Sequence, residues 1–354
     1  MFNAPVEPLT SPHHRGLAAF AGSSWRLPPS RLLDLYRAMY RIRLIEEEIA
    51  ARYPQRQMRC PVHLCIGQEA IPVSVSAHLG NHDYVMSGHR SHGHYLAKGG
   101  DLKLMMAELY GKATGCAGGK GGSMHLIDRS VGFLGAMPIV GSAIPVAVGV
   151  AFGSMLQQRN RVTVVYFGEA ATEEGVFHES VNFAVLKRLP IIFVCENNFY
   201  SVYSSLSVRR REGQRLSDLV RAYGIASEHL DGNDVLELYT YAGEAVDRAR
   251  NGHGPTFLEC TTYRWREHCG PHDDDHLGYR DAEEVRYWKD RCPIRRLETA
   301  LFNDGILTEE DIHTFRAQVL SEIESAVEFA QRSPFPSFRQ LFTDVFAESA
   351  RERT

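Results

Sequence analysis

The sequence predicts an α/β protein with an open, mainly parallel sheet flanked by helices, and three stretches carry that expectation. Val162-Thr163-Val164-Val165-Tyr166-Phe167 is an unbroken apolar, β-branched run suited to a strand buried on both faces, and Ile191-Ile192-Phe193-Val194-Cys195 is a second. Between them, from about Glu173 to Lys187, lies a helical segment that Leu189-Pro190 closes. Strand, helix and strand make a right-handed crossover, so both strands deliver their carboxyl ends to one edge of the sheet. Gly168-Glu169 leaves the first strand at that edge and Asn197-Asn198 leaves the second, and that edge is where open α/β sheets bind ligands. A carboxylate and side-chain amide carbonyls suit Mg²⁺, and a helix amino terminus beside them suits phosphate. The stretch therefore reads as a metal-bridged diphosphate site; the plainer alternative is an ordinary crossover with polar strand ends.

Composition bounds the rest. The chain has 354 residues, 44% hydrophobic and 23% charged, which is ordinary for a globular protein with a sizeable core. A net charge of -4 gives no pull toward nucleic acid or an anionic membrane. The seven cysteines are odd in number and contain no Cys-x-x-Cys pair, which points to reduced thiols in a cytoplasmic setting. No apolar run is long enough to span a membrane. Residues 1–30 show no secretory or transit pattern and read as an extension, residues 31–345 as a single domain with C-terminal helices, and residues 346–354 as a tail.

In chain order, Ser30 reads as an N-cap for an amphipathic helix from Arg31 to Tyr53, with Leu32, Leu35, Met39 and Ile42 on its apolar face. Gly67-Gln68-Glu69-Ala70 opens an Ala- and Val-rich helix, and His63 precedes it. A strand from about Asp83 to Met86 runs into Ser87-Gly88-His89-Arg90-Ser91-His92-Gly93-His94. Its three histidines have no local carboxylate or thiol, so a zinc site is disfavoured; Arg90 reads instead as a fixed fork for an anion. Gly111 to His125 is glycine-rich, but Lys120 is followed by Gly121, so it is not the phosphate loop of nucleotide hydrolases. It also lacks the dinucleotide fingerprint, and taken alone it fits a flexible surface loop.

Phe133 to Gly149 combines small and apolar residues, as in a buried turn entering a tightly packed helix. Ser204 to Arg211 is a polar, basic loop. Another sheet element falls near Tyr223–Val235, with Asn233 or Asp234 capping a helix to Arg250, and a further strand covers Pro255–Arg264. Its exit loop, through His268, Cys269 and His272-Asp273-Asp274-Asp275-His276, is a polar concentration read as solvent-exposed. From Asp281 to about Arg332 the chain is helical, with a break at Asn303-Asp304-Gly305.

Several of these motifs together resemble a family. Gly168-Glu169-Ala170, a helix and a strand, then Cys195-Glu196-Asn197-Asn198 and Tyr200 follow the thiamine-diphosphate motif, and Gly119-Lys120-Gly121-Gly122-Ser123-Met124-His125 matches a family loop. Over roughly residues 32–345 the chain resembles the alpha subunit of the decarboxylating first component of 2-oxo acid dehydrogenase complexes, of the pyruvate or acetoin type. The resemblance implies the diphosphate-binding half of a thiamine-diphosphate-binding fold. It assigns Mg²⁺ to Glu169, Asn198 and the Tyr200 carbonyl. Diphosphate falls to Arg90 and the backbone of Ala170 and Ala171, with His89 where the family often has another aromatic. The Pro138 and Val140 carbonyls meet the aminopyrimidine, and His63 and His268 are the catalytic histidines. Cys269 stands where mitochondrial relatives carry a phosphorylated Ser. One departure is Glu169-Ala170 for Asp-Gly: the extra methylene must fit a tight octahedron, and Ala restricts backbone approach to the diphosphate.

The implied function is oxidative decarboxylation of a 2-oxo acid, with the acyl unit passing to a lipoyl group on an acyltransferase component. A beta subunit would supply the carboxylate that activates the aminopyrimidine, in an assembly of two alpha and two beta chains. The alternatives are a carboligase or decarboxylase subunit using the same cofactor on an acyloin or 2-oxo acid, and a binding subunit with weakened chemistry. A dinucleotide oxidoreductase lacks its glycine fingerprint here.

Overall fold

The computed structural model describes residues 26–343. The N-terminal extension up to residue 25 and the tail from residue 344 lie outside the described residues.

Among the described residues, eight strands and twelve α-helices follow in chain order: α1 (Pro29–Arg52), α2 (Ala70–Ser76), β1 (Tyr84–Ser87), α3 (His92–Ala97), α4 (Leu102–Leu109), β2 (Phe133–Ala136), α5 (Ala143–Leu156), β3 (Thr163–Gly168), α6 (Gly175–Leu186), β4 (Ile191–Asn197), β5 (Tyr200–Ser201), β6 (Ser204–Ser205), α7 (Leu206–Arg209), α8 (Leu216–Arg221), β7 (Ala226–Asp231), α9 (Val235–Arg250), β8 (Thr256–Thr261), α10 (Ala282–Asp290), α11 (Pro293–Asn303) and α12 (Glu309–Arg332). Six strands form one sheet in the order β2-β1-β3-β4-β8-β7, and every neighbouring pair is parallel. The expected open parallel sheet is therefore present. β5 and β6 form a separate antiparallel hairpin just after the central strand β4.

The apolar runs are continuous because both faces of the sheet are covered. Along β3 and β4, Val164, Tyr166, Ile192 and Val194 face a core shared with α1, α2, α4, α9, α11 and α12. The alternating Val165, Phe167, Phe193 and Cys195 face a second core formed with α5, α6 and α8. Single-residue alternation between two buried faces follows from the period of two along a strand.

Two local expectations are corrected. Helix α1 is capped by Pro28 in extended conformation with Pro29 in its first turn, and Ser30 lies inside it; proline's fixed φ and missing N–H suit that first position better than a serine cap does. In the exit loop of β8, Asp274 is buried, paired with Arg264 and Arg280 and hydrogen-bonded by Tyr279. That triplet of aspartates is thus a folded clamp at Asp274 rather than a solvated tract. Asp234 caps α9 as expected, accepting from the amides of Leu236 and Glu237. All seven cysteines are free thiols.

Candidate active site

Parallel pairing decides what meets at the carboxyl edge. Gly168 is in register with Glu196, so Glu169 leaves β3 beside Asn197 and Asn198 at the end of β4. Ser87 of β1 is in register with Tyr166, and the Gly88 amide donates to the Tyr166 carbonyl at 3.0 Å. His89 and Arg90 therefore emerge at the same edge. β2 ends beside Ser87, which puts the Pro138–Val140 turn next along the edge. The loop after β8 returns His268 to it, where Gly270 bridges His63 and its amide donates to Val62 at 2.8 Å. All eleven site residues expected from the sequence therefore lie on or beside one edge.

Glu169 starts a short 3-10 segment, Glu169–Glu173, ahead of α6, where a continuous helix start was expected only from about Glu173. Its carboxylate is buried, and burial pushes its pKa up while Arg209 on α7 draws it back down. Arg209 also pairs with Glu173 at 2.5 Å, and Arg210 donates to the Thr172 hydroxyl. The basic loop after β6 is thus folded over the edge through its arginines.

Asn197 is tied away by donation to Glu259 at 3.0 Å, whereas Asn198 turns toward Gln68, with Nδ2 3.4 Å from Oε1. Asn198 Oδ1 accepts from the Tyr200 amide at 3.3 Å, and Phe199 between them has φ 68°. The tight turn after β4 thus gathers the Asn198 side chain and the Tyr200 backbone. The Tyr200 hydroxyl is held at 2.7 Å by Glu284 of α10.

Arg90 is buried, and among the described residues no carboxylate pairs with it: Nη1 donates to the Leu64 carbonyl at 2.6 Å and Nη2 to the His268 carbonyl at 3.2 Å. Burial and the Arg264 charge lower its pKa to about 10. A buried positive charge whose direct hydrogen bonds go to carbonyl oxygens favours an anionic ligand. Near it, burial and the Arg90 charge lower His63 to about 2 and His268 to about 3, and lower His89 to about 4. The three imidazoles are neutral at pH 7, each with one N–H donor and one lone pair.

The remaining local histidines serve structure. His92 joins Glu46 at 2.6 Å and the Ser123 hydroxyl at 2.7 Å; His94 joins Ser87 at 2.8 Å and Glu196 at 3.0 Å and stacks on Tyr166.

Sequence reasoning missed the groups that hold the site. Glu46 and Arg43 of α1 are buried: Glu46 accepts from the Cys65 amide at 2.6 Å, and Arg43 pairs with Glu69 at 2.6 Å above the Trp265 ring. They anchor both ends of the His63–Glu69 segment. Glu108 of α4 accepts four amides, from Ala117 and Gly119 on Oε2 and from Gly121 and Gly122 on Oε1, at 2.7 to 2.9 Å. The glycine-rich loop is therefore wrapped around one carboxylate, and Lys112 Nζ ties its start to the Ser333 carbonyl at 3.0 Å.

Fold and edge together define a class: a parallel α/β chain that presents a buried carboxylate, an unpaired buried guanidinium and neutral imidazoles at the carboxyl ends of its strands. A family model described as the dehydrogenase E1 component matches residues 37–339. The chain is 38% identical over 324 residues to the alpha subunit of acetoin:2,6-dichlorophenolindophenol oxidoreductase of Bacillus subtilis, covering 90% of this chain and 95% of that protein. It is 38% identical to the pyruvate dehydrogenase E1 component subunit alpha of Porphyra purpurea, covering 91% of this chain and 95% of that one. The Zymomonas mobilis subunit of the same name is 37% identical, with 89% of this chain and 88% of that one covered. The chain belongs to the dehydrogenase E1 component family, which implies thiamine diphosphate as cofactor and a beta subunit as partner. Among the described residues, no helix is long and apolar enough to cross a membrane.

Proposed function

We propose that this chain is the alpha subunit of a thiamine-diphosphate-dependent 2-oxo acid dehydrogenase of the pyruvate or acetoin type, passing its acyl product to a lipoyl carrier. The observation that carries this reading is the charge arrangement at the sheet edge: an anion-seeking Arg90 and a cation-seeking Glu169 beside one row of imidazoles. That pair fits a diphosphate with its divalent cation.

When bound, the cofactor supplies a carbon nucleophile for the 2-oxo group and an electron sink for loss of carbon dioxide. The chain's own residues do the holding. Glu169, the Asn198 side-chain oxygen and the Tyr200 carbonyl are the Mg²⁺ ligands, all hard oxygen donors. Arg90 and the Ala170 and Ala171 backbone take the diphosphate, and the Pro138 and Val140 carbonyls take the aminopyrimidine. His63 and His268, neutral and partly desolvated, offer N–H donors to oxygen atoms on which charge develops. His89 joins the same cluster, its ring centroid 4.8 Å from that of His63 and 5.3 Å from that of His268.

The beta partner fits an apolar surface beside the site. Ile139 is 71%, Val140 49% and Val146 42% exposed on the turn and the start of α5. Gly149 and Gly153 leave open space on the same helix, which lets another backbone approach closely. We place residues 31–345 in one domain and the working unit at two alpha and two beta chains.

Co-purification with the beta chain and a profile of 2-oxo acids against a lipoyl-bearing acceptor tests the proposal. The expected result is acyl transfer by the assembly and none by the chain alone. Steady turnover by the isolated chain, or an assembly that acts on no 2-oxo acid, overturns it.

A further inference from the structure

Asn197 and Asn198 stand side by side at the end of β4, and the same local turn sets both amides. Asn197 Oδ1 accepts from the Phe199 amide at 3.3 Å, and Asn198 Oδ1 from the Tyr200 amide at 3.3 Å. The backbone N–H facing each oxygen decides which way each amide points, since the flipped form would set donor against donor. Each Nδ2 then needs an acceptor elsewhere. For Asn197 it is the Glu259 carboxylate at 3.0 Å, which only accepts and so closes the chain. For Asn198 it is Gln68 Oε1 at 3.4 Å, on a residue 130 positions earlier.

Gln68 leaves that second chain open. Its side chain is itself an amide, so accepting on Oε1 leaves the N–H donors of Nε2 to be met. Gln68 is 1% exposed, and its Nε2 is buried with no hydrogen-bond partner among the described residues. A buried donor left unmatched is costly and calls for an acceptor. The backbone gives the side chain little freedom to turn away. The Gln68 amide donates to the Cys65 carbonyl at 2.9 Å, and the next residue, Glu69, is fixed by Arg43 at 2.6 Å.

We propose that Gln68 is a positioning residue for the cation and the diphosphate: its Oε1 holds the Asn198 amide with the oxygen toward the cation, and its Nε2 donates to a phosphate oxygen. The inference rests on the thiamine-diphosphate reading above and extends it to a residue outside the expected site. A carbonyl oxygen has two lone pairs, so Asn198 Oδ1 keeps the Tyr200 N–H and still has one to give a metal. A reversed amide would aim its hydrogens at the ion. An acceptor on Nε2 also polarises the row Gln68–Asn198–Tyr200, so each hydrogen bond strengthens the next. The long link between the two side chains has the most to gain. Cation and anion are thereby coupled through one pair of amides.

The test is ligand binding to the chain assembled with its beta partner, with Mn²⁺ as an oxygen-ligated substitute for Mg²⁺. Mn²⁺ is titrated at saturating thiamine diphosphate and read by its paramagnetic resonance signal. Thiamine diphosphate is titrated at saturating Mn²⁺ and read by calorimetry. Gln68→Met removes acceptor and donor together, so both affinities should fall about tenfold. Gln68→Glu keeps an acceptor for Asn198 but has no donor. It should hold Mn²⁺ to within about threefold of the parent while thiamine diphosphate weakens about tenfold. Both variants are compared with the parent by thermal melting, and a merely structural role would move the two affinities together in each. Parental affinities in both variants, or a Gln68→Glu variant that loses Mn²⁺ and thiamine diphosphate equally, overturn this inference and leave the cofactor reading standing. A parent assembly that binds neither ligand overturns both.

Discussion

The guanidinium of Arg209 rests on the carboxylate of Glu169, and its other nitrogen reaches Glu173 at 2.5 Å. Arg209 comes from α7, and its pairing folds the segment after the β5–β6 hairpin onto the sheet edge. The same carboxylate is the expected ligand of a divalent cation, so a cation there has to displace Arg209. Charge-assisted hydrogen bonds of this kind are worth about 1.5–3 kcal/mol, and 1.4 kcal/mol is tenfold in affinity. Arg209→Ala is therefore expected to tighten Mg²⁺-dependent thiamine diphosphate binding by about tenfold, measured by calorimetry on the assembly. Weaker binding in the variant would mean that Arg209 serves the diphosphate instead.

The glycine-rich loop depends on Glu108 in a way its own composition does not disclose. Four amides of residues 117–122 converge on the two oxygens of this one carboxylate. An amide group has only one acceptor oxygen, so Glu108→Gln leaves one pair of these N–H groups facing a donor. Each unsatisfied buried group costs about 1–3 kcal/mol, which is enough to open a loop locally. Hydrogen exchange of residues 117–122 should accelerate at least tenfold in the variant, and tryptic cleavage at Lys120 should follow. Unchanged protection would mean that the contacts of Lys112 and Ser123 suffice.

What the sequence disclosed follows from which forces are local. The runs at 162–167 and 191–195 fixed β3 and β4 to within a few residues because burial on both faces leaves no polar position to obscure the pattern. Glu169, Asn198 and Arg90 were legible because each follows a strand end closely, and parallel pairing then brings them to one edge. Arg43, Glu46 and Glu108 were not legible: on a helix a charged side chain reads as solvated unless its distant partner is known, and those partners lie 9 to 46 residues away. The segment 204–211 read as a solvated basic loop for the same reason, since Glu169 and Glu173 become its partners only after the chain returns. The cluster of His63, His89 and His268 joins positions separated by up to about two hundred residues, and no spacing rule reaches that far.

Gly67 tests how tightly that folded polar frame is built. Its φ is +101°, and an added Cβ would overlap the Tyr263 carbonyl oxygen and come within 2.6 Å of Trp265 Cδ1. Neither neighbour is free to yield. Trp265 is pinned by its amide donating to the Ile66 carbonyl at 3.0 Å and by Arg43 lying 4.2 Å from its ring. The Gly67 amide meanwhile donates to both oxygens of Glu69, at 3.1 and 3.2 Å. Gly67→Ala must therefore either strain a left-handed backbone or shift the segment that carries His63 and Gln68. Backbone strain alone costs about 1–3 kcal/mol, and overpacking a rigid contact adds about as much. Thermal melting should fall by several degrees. Cofactor binding should weaken with it, because Gln68 Oε1 stands 3.4 Å from Asn198 Nδ2. A variant with parental melting and parental cofactor affinity would show that the turn relaxes without moving Gln68, and that the Arg43–Glu69 pair alone positions the segment.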